Sequence, residues 1–185
     1  MAWAVNDIRR DVPVSRLSDD LKGPLEMVAE DVTGLDFDNI VGDNTVVGAT
    51  PTSVDCIICK DGWVNFIEFK GDPFRDYIGD SEGKRRIKER IKLKAVESIY
   101  LYRKFLERSA PSNGYRLILV FKSDGFTDIV NMIGGDPEHR EPPRWISRMG
   151  FKDLNGERMY YDSVILMSAE EFVRFSNRSL KSTGQ

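Results

Sequence analysis

Asp61-Gly62 sits between two apolar runs, Val54 to Cys59 and Trp63 to Phe69, and this arrangement constrains the fold more than any other stretch of the chain. A two-residue turn that suits the right-handed twist of paired strands needs positive φ at both central positions, and Asp-Gly supplies that at low cost. The stretch therefore reads as an antiparallel hairpin in which Lys60 faces Trp63. Stepping outward pair by pair brings Asp55 opposite Glu68. Alternation puts Ile57, Cys59, Val64, Phe66 and Lys70 on the face of these two acids, and Val54, Cys56, Ile58, Trp63, Ile67 and Phe69 on the other. Both faces are largely apolar, as in a sheet covered on two sides.

Directly opposed acidic residues have Cβ atoms roughly 5 Å apart on one face, where like charges repel. In a half-dry setting desolvation and mutual repulsion both push their pKa values up. A divalent cation relieves this, and Mg²⁺ takes hard oxygen ligands of this kind, with water and substrate phosphate completing the shell. Lys70, two residues beyond Glu68 on the same face, is placed to hold a metal-bound water or a phosphoryl oxygen. The bland alternative is that Lys70 neutralises Glu68 at a solvated strand end.

Asp55, twelve intervening residues and then Glu68-Phe69-Lys70 resemble the signature of the PD-(D/E)XK nuclease superfamily, which includes restriction endonucleases, archaeal Holliday-junction resolvases and RecB-type nuclease domains. Val54 stands where that signature has proline. The resemblance implies an α/β fold: a restriction-endonuclease-like three-layer α/β/α core with a central mixed sheet in the order α-β-β-β-α-β, here with a C-terminal strand-helix extension. It implies Mg²⁺, with Mn²⁺ as a substitute, held by Asp55, Glu68 and the Phe69 carbonyl, and Lys70 orienting or deprotonating the attacking water. It also implies a glutamate aimed at the metal from the helix before the sheet. Glu26 is the choice, because Gly23 to Val28 is similar to that helix pattern, and Glu30 is the substitute. The implied activity is metal-dependent hydrolysis of DNA phosphodiester bonds. A non-catalytic nucleic-acid-binding or assembly module retaining such a fold is the alternative.

The 185 residues suffice for one sizeable core. Residues 1–16 read as an arm or edge strand, 17–122 as the core, 123–175 as an extension of the same domain and 176–185 as a loose tail. A helix is expected from Ser18, or from the interruption at Gly23-Pro24, through Val32, stopped by Gly34, then an acidic loop over Leu35–Asp43 and a short strand over Thr45–Thr50. Gly71–Gly83 is a long polar connection. Lys84–Arg108 is the longest helix, with Ile87, Ile91, Ala95, Ser98 or Ile99, Tyr102 and Leu106 as its buried stripe. Tyr115–Phe121, a continuous apolar run reached through that helix, reads as a buried parallel strand. Phe126–Ile133 is a short helix, Trp145–Tyr161 a mixed stretch with a turn at Asn155-Gly156, and Ser163–Met167 a fifth strand. Ser168 then caps a helix over Ala169–Phe175.

Net charge is -3, so no global signal for nucleic acid exists. The long helix nevertheless carries ten Lys or Arg against three Glu. Such clusters bind phosphate backbones, although solvated helix faces are often equally basic. Lys84, Arg85 and Arg86 oppose the dipole at the helix start and are the best DNA phosphate candidates; Lys94 joins them because the resemblance implies a polar residue on this helix facing the metal. Cys56 and Cys59 have C-x-x-C spacing, but on a strand they point to opposite faces and read as small buried hydrophobes. The one histidine, His139, makes a His-based zinc site or a Ser-His-Asp triad a poor reading. No apolar run approaches membrane-spanning length and Met1–Arg10 has no signal-peptide pattern, so cytoplasmic residence is the expectation. A homodimer is compatible with the sequence, which does not require one.

Overall fold

The computed structural model describes residues 11–17, 25–44, 51–73, 82–122 and 160–181. Its centre is the expected hairpin. Strand β3 (Cys56–Lys60) pairs antiparallel with β4 (Trp63–Pro73), Lys60 facing Trp63 and Cys56 facing Ile67. Asp61 and Gly62 both have positive φ, 48° and 75°, so the turn is of the type that the Asp-Gly pair favours.

Six strands form one mixed sheet in sequential order. On one side of the hairpin, β2 (Thr33–Asp36) pairs antiparallel with β3, and the edge strand β1 (Asp11–Pro13) pairs antiparallel with β2. On the other side, β5 (Gly114–Lys122) runs parallel to β4, and β6 (Ser163–Ser168) runs parallel to β5. The parallel step from β4 to β5 is made through a long helix, as parallel neighbours require.

Helices cover both faces. Helix α1 (Phe37–Asn44) contributes Phe37, Ile40 and Val41, and α2 (Glu82–Phe105) contributes Ile91, Ala95, Ile99 and Tyr102, to a core over Ile57, Val64, Phe66, Leu117, Leu119 and Phe121. Phe66 is held edge-on by Tyr102 and Tyr161 at 5.5 and 5.3 Å. The Tyr161 hydroxyl, buried with its ring, donates to the Ala95 carbonyl at 2.6 Å. On the opposite face α3 (Ala169–Phe175) brings Phe172, Val173 and Phe175 against Cys56, Ile58, Ile67, Phe69, Ile118 and Val120. Its N-terminus carries the expected cap as a full capping box, Ser168 and Glu171 each accepting the other's backbone N–H. The fold is thus α/β, with a six-stranded mixed sheet and three helices among the described residues.

Several expectations are corrected. The helix expected from Ser18 to Val32 has only Leu25 helical within its described part, and the chain turns at Glu26 and Met27. Gly34 does not stop a helix but lies inside β2, where a Cβ would collide with Cys56 and Ile58 of the adjacent strand. The acidic stretch expected as a loop is instead the end of β2 followed by α1. Val54 joins the α2-side core rather than the opposite one, because strand alternation begins only at Cys56. Cys56 is buried, but Cys59 near the turn is exposed, its sulfur 3.5 Å from the Tyr102 hydroxyl. The loose tail begins later than Ser176, since Ser176–Leu180 form a π turn that buries Ser176 and Leu180. The expectations for Thr45–Thr50, Phe126–Ile133, His139 and the Asn155-Gly156 turn lie outside the described residues, as do residues 1–10 and 74–81.

Candidate functional site

The site lies in the second half of β4, where the α2 face of the sheet stops being apolar. Phe66 is fully buried there, and the next residue on that face, Glu68, is equally buried at 1% exposure. Hairpin register delivers Asp55 opposite it, one residue before β3 begins. Backbone and side chain then lock Asp55 in place. Its carbonyl accepts from the Phe37 N–H at the start of α1 (3.1 Å), and its Oδ2 accepts from the Phe69 N–H (2.6 Å).

Two lysines close the cluster. Lys70 Nζ makes a short charged hydrogen bond to Glu68 Oε1. Lys94, reaching in from α2, places its Nζ 2.9 and 3.2 Å from the two Glu68 oxygens and 3.6 Å from Asp55 Oδ1. The α2 turn that carries Lys94 also fixes the segment leading to Asp55. The Ser98 hydroxyl accepts from the Val54 N–H (2.8 Å), and Glu97 accepts from the Thr52 N–H and hydroxyl (2.6 and 2.9 Å). One helical surface therefore supplies both a cation to the acids and the staples that hold one of them.

Burial and the neighbouring Glu68 charge raise the Asp55 pKa to about 7, against the pull of Lys94, the Phe69 N–H and Lys70. Burial by itself would lower the Lys94 pKa, but Glu68, Asp55 and, more remotely, Asp38 hold it above its ordinary value. The two ammonium groups do not offset the cost of two buried carboxylates, so Asp55 sits at the edge of protonation at neutral pH. Asp55, Lys70 and Lys94 each keep about a fifth of their side-chain surface open to solvent, so the cluster can be reached from outside.

The structure brings Asp55, Glu68, Lys70 and Lys94 together, with the Phe69 backbone beside them. It does not bring Glu26. That residue is exposed in a turn whose neighbours, Leu25 and Val28, are buried in the core on the α3 face, the opposite side of the sheet; Glu30 is exposed as well. The acid nearest in kind is Asp38, on the first turn of α1, which accepts from the hydroxyl of buried Ser53 at 2.7 Å. Sequence reasoning passed over it. The signal available was the helical spacing of Phe37, Ile40 and Val41 around it. Arg85 and Arg86 are exposed and pair along the helix with Glu89 and Glu82 at 3.9 and 2.7 Å. Lys84 belongs to the same helical turn, but its side chain lies outside the described ones.

Among the described residues, no group of three or more His, Cys, Asp or Glu forms a ready cage for a metal. The donor chemistry nevertheless fits Mg²⁺: the two carboxylates are hard oxygens, and this ion takes few protein ligands. No helix among the described residues is long and apolar enough to cross a membrane. No family model matches the chain, and neither the curated proteins nor the solved structures contain a significant match to it.

Proposed function

We propose that this chain is a Mg²⁺-dependent nuclease that hydrolyses DNA phosphodiester bonds, with Asp55, Glu68 and the Phe69 carbonyl holding the metal. The observation that carries this reading is the Asp55–Glu68 pair itself: two carboxylates gathered at a buried corner, one of them pushed to the edge of protonation, with two lysines alongside. A bound Mg²⁺ supplies a more acidic water and positive charge for the phosphoryl transition state. Asp55 would serve such a metal in its ionised form, and Glu68 is already stripped of water and held in one orientation. Lys70 holds or relays a proton at Nζ beside the reacting oxygen, while Lys94 keeps Asp55 and Glu68 in register. Arg85 and Arg86 at the start of α2 contact backbone phosphates. The resemblance of Asp55…Glu68-Phe69-Lys70 to the PD-(D/E)XK signature supports the same assignment, with Asp38 replacing Glu26 as the helix acid on the correct face.

The test is a melting scan with and without Mn²⁺ or Mg²⁺, followed by plasmid nicking. Metal that binds only the folded chain raises Tm by mass action, and nicking should appear with the metal and vanish in Asp55→Asn, Glu68→Gln and Lys70→Ala. A chain that neither shifts nor nicks sinks the proposal. One observation favours a second reading, a non-catalytic nucleic-acid-binding module: Glu68 already has two ammonium partners, so the cluster can close without a metal. That reading predicts metal-independent, salt-sensitive DNA retention on a gel and no cleavage.

A further inference from the structure

Three large apolar side chains are exposed among the described residues, Met27, Leu93 and Tyr100, and two of them lie on one helix. Leu93 and Tyr100 are two turns apart, so they share a ridge of α2, with Val96 between them. The buried Ile91, Ala95, Ser98 and Tyr102 mark the opposite, sheet-facing side. Beside the ridge runs a groove of about 600 Å³ whose lining includes Val96, Tyr100 and Tyr160. Glu89 lies four residues before Leu93 and Lys104 four residues after Tyr100, so the ridge reads acid, apolar, apolar, base along its length. Both charged groups are exposed. Glu89 is engaged by Arg85 at 3.9 Å and Lys104 by the Tyr100 hydroxyl at 3.0 Å, and exposed contacts of this kind contribute little.

We infer that the outer ridge of α2 is a self-pairing surface, on which a second copy of this chain lays its own α2 antiparallel. With the two-fold axis between positions 96 and 97, Leu93 meets Tyr100 of the second copy, and Tyr100 meets its Leu93. The same register sets Glu89 against Lys104 of the second copy at both ends. A two-fold interface requires this reciprocity, and a surface that repeats itself in reverse about one point, with charge inverted, meets the requirement. Parallel pairing would instead oppose Glu89 to Glu89 and Lys104 to Lys104. The ridge spans most of a 24-residue helix about 36 Å long. Lys94 lies about a third of the way round the helix, so pairing leaves the Asp55–Glu68 corner open, although Arg86, assigned above to phosphate contact, sits on the ridge itself, three residues before Glu89.

Sedimentation velocity on the full chain tests this. A concentration-dependent dimer is expected, with Glu89→Lys or Lys104→Glu alone weakening it about tenfold or more and the Glu89→Lys/Lys104→Glu double reversal restoring it to within about threefold, all with unchanged circular dichroism. Orientation is read by oxidative cross-linking in a Cys59→Ser background: Val96→Cys, near the axis, should link two copies, whereas Glu89→Cys alone should not. A chain monomeric at every concentration, a dimer indifferent to the charge reversals, or efficient linking through Glu89→Cys would each overturn the inference.

Discussion

The two faces of the sheet are built from the same strands and finished differently. On the α3 face, Phe69 packs edge-on against Phe172 at 5.4 Å, and apolar contact continues through Ile67, Ile118 and Val120. Polar groups on that face, among the described residues, include Asn65, whose amide nitrogen donates to the Ile58 carbonyl while its buried oxygen has no protein partner, and Arg116, whose guanidinium lies over the Trp63 and Phe175 rings at 4.2 and 6.0 Å, but no cluster of acids. On the α2 face the core is just as apolar through Val64 and Phe66, then gives way at the next position to Glu68, Asp55 and two lysines. Well-packed apolar side chains in place of a buried ionic cluster are often neutral or stabilising. The charged corner therefore contributes little to holding the sheet together, and breaks of this kind concentrate where a chain does chemistry.

Removing one residue from each face separates their roles. Phe172→Ala on the α3 face should cost about 3–5 kcal/mol by urea denaturation, with metal-dependent nicking per folded molecule unchanged. Asp55→Asn should do the opposite, lowering nicking about a hundredfold or more with a much smaller change in stability, because its carboxylate already sits at the edge of protonation. Equal losses of nicking from both faces would erase the distinction.

A subtler contrast appears in pH. With metal chelated, Asp55 holds its proton up to about pH 7 in the folded chain, whereas an unfolded Asp releases it near about 3.9. The folded state therefore binds more protons between those values. The stability this proton contributes is complete below about pH 4 and is lost as pH rises through 7. Asp55→Asn should flatten that slope, gaining Tm over the parent chain at pH 8 and not at pH 4, while Phe172→Ala keeps the parental slope. Smallest of all, Gly62→Ala should cost about 1–2 kcal/mol for its left-handed φ, affecting both faces alike because it loosens the hairpin they share.

The legible parts of the chain were those governed by a short-range rule. The Asp61-Gly62 turn set the register, the register placed Asp55 against Glu68, and helical spacing gave the buried stripe of α2 from Ile91 to Tyr102, whereas Lys94 was expected from the family resemblance alone. What stayed hidden depends on distant partners. Thr33–Asp36 has weak strand character and becomes β2 because β1 and β3 pair with it from both sides. Asp38 was overlooked because its stretch is acidic and its apolar spacing spans only two turns. Glu26 was misplaced because the side of the sheet on which Leu25 and Val28 pack is a property of the tertiary fold. The stapling of Thr52 and Val54 by Glu97 and Ser98 joins residues more than forty positions apart, which no local pattern announces.

The switch from antiparallel to parallel pairing at β4 sets an order of assembly. β3 and β4 meet across two residues, and such hairpins close in about 1–10 μs, whereas β5 must wait for the whole α2 crossover to be traversed. Burial, the larger cause of the raised Asp55 pKa, is completed only when that helix docks. Unfolding rates should therefore rise as pH climbs from 5 to 8 while refolding rates change little, and Asp55→Asn should remove the dependence. The hairpin thus forms with its two acids still in water, and docking of the helix is what makes their charge costly.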